Sequence, residues 1–516
     1  MRLPRWLLAV IIAASTLGMT AFTQWIEAVE VTTQHNDIQR SGANTSETIL
    51  TTGNVATATF GKLFTINLAA NVNGQALYMP GLTINSAVHN VVFVYTSNNS
   101  TGSPCGIAAY DADVGGTALW STTLTPAAQY TTNTPVIDPT TSIMYFVTKD
   151  NNDNGASWMH AVSILTGLDL TGSPVQIGGS VTGTGGGSSG GTVTFPASHA
   201  NCRPGMLLVN GVVYCGFSFN TDAQPYHGWI FGYSYNGTAF TQHSIFCDSP
   251  NSEAGGIWQA GKGLASDGTN IYCTTGNGNF DNSLAAGSAF GMCVLRLSPT
   301  LSVLDYFAPS NEASESGSDQ DLGNCGLTII PGSSPSLGFV GSTKYSQGHL
   351  VNINNLGHFN GATNVNAADA CLQTVSVGGA VGSNPVSWNA GGSQYVYLDG
   401  GGTLTEWQVT GGNALTQITT QSVGSGNSGL CVTSNGTTNG LLWVLGSDGS
   451  IHARDATNVA TEYWSSTQNS ARDAMPSGPG KFQFPMVANG KAYMPDGAAH
   501  LVAYGLLSQV DRKSVV

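Results

Sequence analysis

Charge is scarce in this 516-residue chain. Lys, Arg, Asp and Glu make up 9% of it, against about a quarter in an ordinary globular protein. Only 15 residues are Lys or Arg against 29 Asp or Glu, for a net charge of −14. The chain therefore lacks the cation surplus that meets nucleic-acid phosphates or an anionic membrane surface. Long apolar runs are missing as well. Beyond the first residues no stretch approaches the roughly 18 residues of a membrane span. No segment sustains a 3.6-residue apolar period, so helices are expected to be minor. The nine Cys are odd in number, widely spaced and without a CxxC pair. A zinc site is therefore not expected, and no disulfide pairing is assigned. CxxCH is missing, which excludes covalently held haem with its electron outlet. GxSxG and HExxH are missing, which removes the commonest hydrolase readings.

What is present is glycine, 67 residues of it, with 41% hydrophobic residues. Gly supplies the φ > 0 positions of tight turns, and the apolar fraction is enough for a core, so the composition describes many short strands. The first residues have the pattern of an export signal: Arg2 and Arg5, then an apolar run from Trp6 to Ala14, then small residues. The expected division is a signal peptide over 1–28, a polar N-terminal arm over 29–55, the main body over 56–507 and a loose tail over 508–516. Export predicts a secreted or periplasmic protein without a transmembrane segment, and permits disulfides. Cys215 in VVYCGF and Cys273 in NIYCTT fall in apolar runs, where Cys acts as a small hydrophobe.

The dominant signal is a repeat of about 50–65 residues. Eight β-rich runs recur, centred near Val92, Tyr145, Val213, Ile271, Gly338, Val396, Leu442 and Ala492. Each is apolar or alternating, rich in Val, Ile and Tyr, and bounded by Gly, Asn, Asp or Ser, which is the signature of a strand. They are expected to be the inner strands of eight units. A unit that buries its faces only against its neighbours needs a long or closed array. The predicted fold is all-β, an eight-bladed β-propeller of four-stranded antiparallel blades. The last unit, FQFPMVANG, KAYMPDG and HLVAYGLL, lacks a fourth strand, and FGKLFTINL at residues 60–68 is a strand without a blade. Pairing the two closes the ring. The Gly-rich stretch 178–194 is expected to be a flexible loop between blades.

Three units carry a further pattern: AYDADVGGTALW (109–120), AVSILTGLDL (161–170) and ARDATNVATEYW (453–464). They resemble the tryptophan-docking repeat, A-x-D-x-x-T-G-x-x-x-W, of the quinoprotein alcohol dehydrogenase-like (PQQ-like) propellers, and HNDIQRSGANTSETILTTGNV looks like the start of such proteins. The resemblance covers roughly residues 34–507. It implies an eight-bladed ring with pyrroloquinoline quinone (PQQ) and Ca2+ near the axis. GGIWQAGKGLASDGTNIYCTTGNGNFDN (255–282) is similar to the family stretch in which Trp258 would lie under the quinone and Asn277 would offer an oxygen to Ca2+. STKYSQGHLVNINNLG (342–357) resembles the stretch whose lysine, here Lys344, hydrogen-bonds a quinone oxygen. Asp321, with Asp319 beside it, falls near the family's base. Three departures stand out. The adjacent Cys pair beside PQQ is missing, no Glu follows VVYCGF, and Asp222 is the only acid there to serve the metal.

DNNDNG at 150–155 matches the first half of an EF-hand loop, but its twelfth position is Ala161 rather than Glu, so a hairpin tip is expected. His199, Arg203, Tyr226, His227 and Trp229 fall in one predicted blade and are candidates to line a pocket for a polar ligand such as a sugar. The sequence thus points to an exported binding or scaffold module taking a small-molecule, carbohydrate or protein ligand at the axis. A PQQ- and Ca2+-dependent alcohol or sugar dehydrogenase is the alternative, with a polysaccharide-active enzyme behind it.

Overall fold

The computed structural model describes residues 29–96, 106–124, 132–150, 155–220, 224–341, 344, 346–361, 368–379, 383–424 and 429–508. Residues 1–28, expected from the sequence to be a signal peptide, residues 509–516 of the tail, Asp222, Cys105 and positions 151–154 of DNNDNG lie outside the described residues.

Eight antiparallel sheets follow one another along the chain, over residues 77–123, 136–176, 200–247, 265–307, 328–376, 386–422, 429–465 and 486–506, joined in chain order except in the third, where Ala200–Cys202 and Leu207–Val209 both pair with Val212–Phe219. The first seven are complete blades. The eighth has three strands of its own, and Phe60–Asn67 pairs antiparallel with His500–Leu506 as its fourth. The ring closes as the sequence predicts. Among the described residues the helices are two short turns, Glu312–Gly317 and Ser470–Asp473.

The eight apolar runs are the second strands of the blades, not the innermost ones. The innermost are the first strands, which touch their counterparts in adjacent blades and are as short as Ala265–Ser266 or Val136–Asp138. The physical reason is burial. A second strand such as Ile143–Lys149 or Thr438–Leu445 is covered on both faces by neighbouring blades, so it reads as a continuous apolar run. The Gly-rich stretch also differs from expectation. It forms a hairpin, Ser180–Thr182 with Thr192–Thr194, and Gly185 and Gly186 donate backbone bonds of 2.9 Å to Pro250 O and Ser252 O. All eight described Cys are free thiols, and Cys215 and Cys273 are fully buried among apolar neighbours.

Adjacent blades are locked at the rim by an aromatic ring lying on a glycine. Trp120, in the last strand of blade 1, donates its indole N–H to Ile164 O of blade 2 at 3.0 Å. It covers Gly167 of the same turn so closely that a Cβ there would lie 2.4 Å from Trp120 Cε3. Phe64 of the closing strand does the same to Gly115 of blade 1. Both glycines also have positive φ, +73° and +66°, so position and backbone each demand glycine. Trp464 of blade 7 packs edge-on against Phe60, 5.0 Å between centroids, and against Tyr504 of blade 8.

The arm does not lie outside the ring. Residues 31–47 run around the axis and bond to the blades in ring order. Val31 pairs with Tyr78 of blade 1. Thr32, Ile38, Gln39, Ser41 and Gly42 accept from Ile137, Ser266, Ile329, Ser387 and Val432 of blades 2, 4, 5, 6 and 7 at 2.7–2.9 Å. Asn44 Nδ2 donates to Val487 O of blade 8 at 2.9 Å, and Glu47 Oε2 accepts from Gly490 N at 3.0 Å. Blade 3 is reached by Arg40, which is fully buried. Its Nη2 donates to Met206 O at 2.9 Å, its Nε to Leu264 O at 2.7 Å, and its Nη1 to Thr33 Oγ1 and Gln34 O at 2.6 and 2.7 Å. Four positive-φ residues, His35, Asn36, Arg40 and Gly42, curl this short segment tightly enough to follow the axis.

Two predictions follow from these contacts. Arg40→Met leaves at least three buried acceptors unpaired, each worth about 1–3 kcal/mol. Denaturant unfolding should show a loss of about 3 kcal/mol or more; an unchanged midpoint would refute the arm's role. Gly167→Ala should cost about 2 kcal/mol from backbone strain and overpacking. Part of that cost should disappear in a Trp120→Ala background, and strict additivity of the two changes would show that the ring does not press on the glycine.

Candidate functional site

Along each inner strand the arm's contacts come a few residues after the strand's approach to the axis. On the approach side of these contacts, a cavity of about 470 Å3 opens. Blade 3 contributes Arg203, three residues before the arm's contact at Met206. The approach to blade 4 contributes Trp258, before Leu264, and that to blade 5 contributes Asp319, Asp321 and Asn324, before Thr328. Tyr226, Asn277 and Lys344 complete one wall, and Phe482 reaches in from the connection before blade 8. The residues that line this cup all come from the blades and their connections, and the arm lies beyond them as a floor along the axis.

Between cup and floor lies a buried polar layer. Lys262, 1% exposed, donates to Asn324 O at 2.8 Å. Desolvation lowers its pKa, against the opposing pull of the nearby Cys325 thiol. Gln259 bridges Gly263 O and Thr274 N through its two amide ends. The His35 backbone N–H donates to Gln75 Oε1 at 2.9 Å, and its ring meets Phe484 edge-on at 5.5 Å. Burial drives the His35 pKa down to about 3, so its imidazole is neutral.

In the cup, Trp258 is clamped from several directions. Its indole N–H donates to Gly255 O at 2.8 Å. A Cβ on Gly276 would lie 2.4 Å from Trp258 Cδ1, so only glycine fits beside it in TTGNG. The Arg203 guanidinium lies 4.9 Å from its ring centroid, a cation–π contact, and Tyr226 meets it edge-on at 6.2 Å. Lys344 Nζ spans Asp319 Oδ2 at 2.8 Å and Asp321 Oδ2 at 3.2 Å. Burial favours the neutral form of Lys344, but the two carboxylates outweigh it and hold its pKa above the ordinary value. Asp321 is raised by desolvation, with Lys344 opposing. Asn277 Nδ2 donates to Asp319 Oδ1 at 2.9 Å, while its buried Oδ1 has no hydrogen-bond partner among the described residues.

Trp258, Asn277, Asp321 and Lys344, drawn from separate stretches of sequence, thus share one cavity with Arg203 and Tyr226. The other three candidates do not join them. His199 and His227 line a neighbouring cavity of about 340 Å3 under the Gly-rich hairpin. His227 is held there by Ser249 Oγ at 2.9 Å and Gly186 O at 2.8 Å. Trp229 is fully buried, stacked on Phe231 and meeting Phe195 edge-on; it is a core residue of blade 3 rather than a pocket residue. Asp222 lies outside the described residues. Asn324, Phe482 and the Lys262 layer were missed. Asn324 and Lys262 sit beside the residues that were found, in DLGN and WQAGKG, whereas nothing in FQFP marks Phe482 as axial.

No family model matches the chain, and no curated protein matches it either. Solved structures do. The chain superposes on Sqt1 of Saccharomyces cerevisiae with a TM-score of 0.52 and 11% identity, over 87% of this chain and 100% of that one. Chaetomium thermophilum Sqt1, solved bound to the N-terminus of ribosomal protein L10, gives 0.47 and 9%, over 86% and 100%. The Dos1 propeller gives 0.43 and 9%, over 86% and 95%. Identity this low speaks to the fold alone, a β-propeller. No helix among the described residues is long and apolar enough to cross a membrane.

The polar layer under the cup generates a pH prediction. Unfolded, His35 takes up a proton below about pH 6.5; folded, it resists until about pH 3. The unfolded state therefore binds more protons in this window, and stability falls as pH is lowered through it. Denaturation midpoints should decline more steeply from pH 6.5 to 4 in the wild-type protein than in His35→Gln. Parallel profiles would show that His35 is not buried neutral.

Proposed function

We propose that this chain is an exported, PQQ-like propeller that acts as a binding module, and that its axial cup takes a neutral polyhydroxylated ligand such as a sugar. The observation that carries the reading is the convergence of Arg203, Tyr226, Trp258, Asn277, Asp319, Asp321 and Lys344 on one cavity. The chemistry of the wall supports the ligand class. Aromatic rings stack on sugar faces, while carboxylates and amides exchange hydrogen bonds with hydroxyls. Two aspartates stand against one lysine and one arginine, so the site's formal charges cancel and favour no ionic ligand. The Arg2, Arg5 and Trp6–Ala14 pattern supports export.

A second reading, a PQQ- and Ca2+-dependent dehydrogenase, is favoured by the same convergence of Trp258, Asn277, Asp321 and Lys344 and by the unpartnered Asn277 Oδ1. The residues present fit it incompletely. Lys344 already spans both carboxylates that a calcium ion would need. Arg203 lies at the Trp258 ring on which a quinone would stack. No reaction step is derived for it.

Titration calorimetry of the purified chain against neutral mono- and oligosaccharides tests the leading reading. A sugar should bind, and Trp258→Ala and Asp321→Asn should each weaken it at least tenfold. Binding of PQQ with Ca2+, accompanied by dye reduction with an alcohol, would replace this reading with the second. Failure of every sugar to bind would reject it.

A further inference from the structure

Histidines recur on the third strands of the blades. In blade 2, His160 on the third strand sets Nδ1 against Asp169 at 3.0 Å and Nε2 against Thr148 Oγ1 at 2.9 Å. In blade 7, His452 on the third strand sets Nδ1 against Glu462 at 2.7 Å and Nε2 against Ser450 Oγ at 2.9 Å. Both are complete structural brackets, with an acid on one nitrogen and a hydroxyl on the other. Blade 5 departs from this pattern. His349, on the strand Gln347–Asn352 and fully buried, faces Asp369 Oδ2 at 3.4 Å through Nδ1. Its Nε2 has no hydrogen-bond partner among the described residues. Acid, hydroxyl and thiol crowd the Nδ1 side instead, with Thr374 Oγ1 at 3.2 Å and Cys371 Sγ at 4.0 Å from that nitrogen.

We propose that His349 Nδ1, the Asp369 carboxylate and the Cys371 thiolate form a zinc site on blade 5, open on one side to solvent. The three ligand atoms lie within 4.8 Å of one another. Tetrahedral zinc, with bonds of about 2.0–2.3 Å, holds its ligands roughly 3.3–3.8 Å apart, so side-chain shifts of up to about 1 Å complete the geometry. A nucleophile–His–acid relay does not fit, because acid and thiol meet the same ring nitrogen rather than opposite ones. Convergence of three donors on one point is what a metal requires. The mixed N, O and S set suits zinc and not the oxygen-seeking Ca2+ or Mg2+. Asp369 is oriented from behind: Ser310 N donates to its Oδ1 at 2.7 Å, and Thr374, opposite His349 in the register, donates to its Oδ2. A cavity of about 400 Å3, lined by Ser310, Asn311, Gln347 and Thr374, leaves the fourth position to water. Binding releases the thiol proton to solvent. The D-x-C spacing of Asp369 and Cys371 was the only trace of this in the sequence, which is why a search for CxxC missed it.

The test uses the full chain, stripped with a chelator and then titrated with Zn2+ or Co2+. One equivalent of Zn2+ should bind, and the Co2+ form should show thiolate-to-cobalt charge-transfer absorption. Cys371→Ser should abolish that absorption, and Cys371→Ser and Asp369→Asn should each weaken Zn2+ binding at least tenfold. Trp258→Ala, in the axial cup, should leave binding unchanged. If a variant fails to fold, peptide-mapped alkylation of the wild-type chain decides: Zn2+ should protect Cys371. Absent charge transfer, or alkylation of Cys371 that is indifferent to Zn2+, overturns the proposal.

Discussion

A buried guanidinium holds the centre of this ring together. A propeller's innermost strands are short, and their backbone groups face an axial space where water is confined. Those groups must find partners, because an unpaired buried carbonyl costs as much as a lost hydrogen bond. Here the arm supplies them in ring order, from Tyr78 of blade 1 to Val487 of blade 8, and Arg40 fills the gap at blades 3 and 4. Arginine suits the task because its fork donates in several directions at once and stays charged even where burial lowers its pKa to about 10. A lysine could not meet four acceptors on three sides.

The same end of the chain also closes the rim. Phe60–Asn67 completes blade 8, and from that strand Phe64 presses on Gly115 of blade 1 while Phe60 packs against Trp464 of blade 7. Residues 31–67 thus tie the ring twice, once at the axis and once at its seam. Between these ties the blades hold each other by burial of their second strands and by rings seated on glycines. Such contacts are local and repeated, as the stacking of a quasi-one-dimensional array requires. The seam is the one place where a repeat must be joined to a distant part of the chain.

Blade number and closure were legible in the sequence because both follow from patterns with a short range. A second strand buried on both faces writes itself as an apolar run, and a missing fourth strand beside an orphan strand is a matter of counting. The identity of the innermost strands was not legible. Leu207–Val209 and Thr328–Ile330 are too short to carry a period, though each pairs with the second strand of its own blade. Most of the cup was found through resemblance to a family, residue by residue, and Trp258, Asn277, Asp321 and Lys344 do converge. Trp229 was misjudged because an aromatic beside a loop reads the same whether it faces a cavity or the blade core. The blade 5 cluster was invisible for a related reason. His349 and Cys371 are 22 residues apart, and only the register of the third and fourth strands brings them together.

The arm decides what the axis can do. Were the centre open, the ring would be a channel with two mouths, and residues at one end would have no floor to hold a ligand against. With the arm in place, the axial space is a cup, and its base is a neutral histidine, a lysine of lowered pKa and an arginine committed to backbone carbonyls. None of these is free to serve as a strong counter-charge to a ligand above. Recognition then rests on the wall, where Lys344 and the two aspartates already satisfy one another and the aromatic faces remain the largest apolar area. A site of that kind discriminates by shape and hydrogen bonds rather than by net charge, which is the demand a sugar makes and a phosphate or a nucleic acid does not. The pairing of the cup's charges therefore has one physical consequence: the cup offers a ligand shape and hydrogen bonds rather than a net local charge.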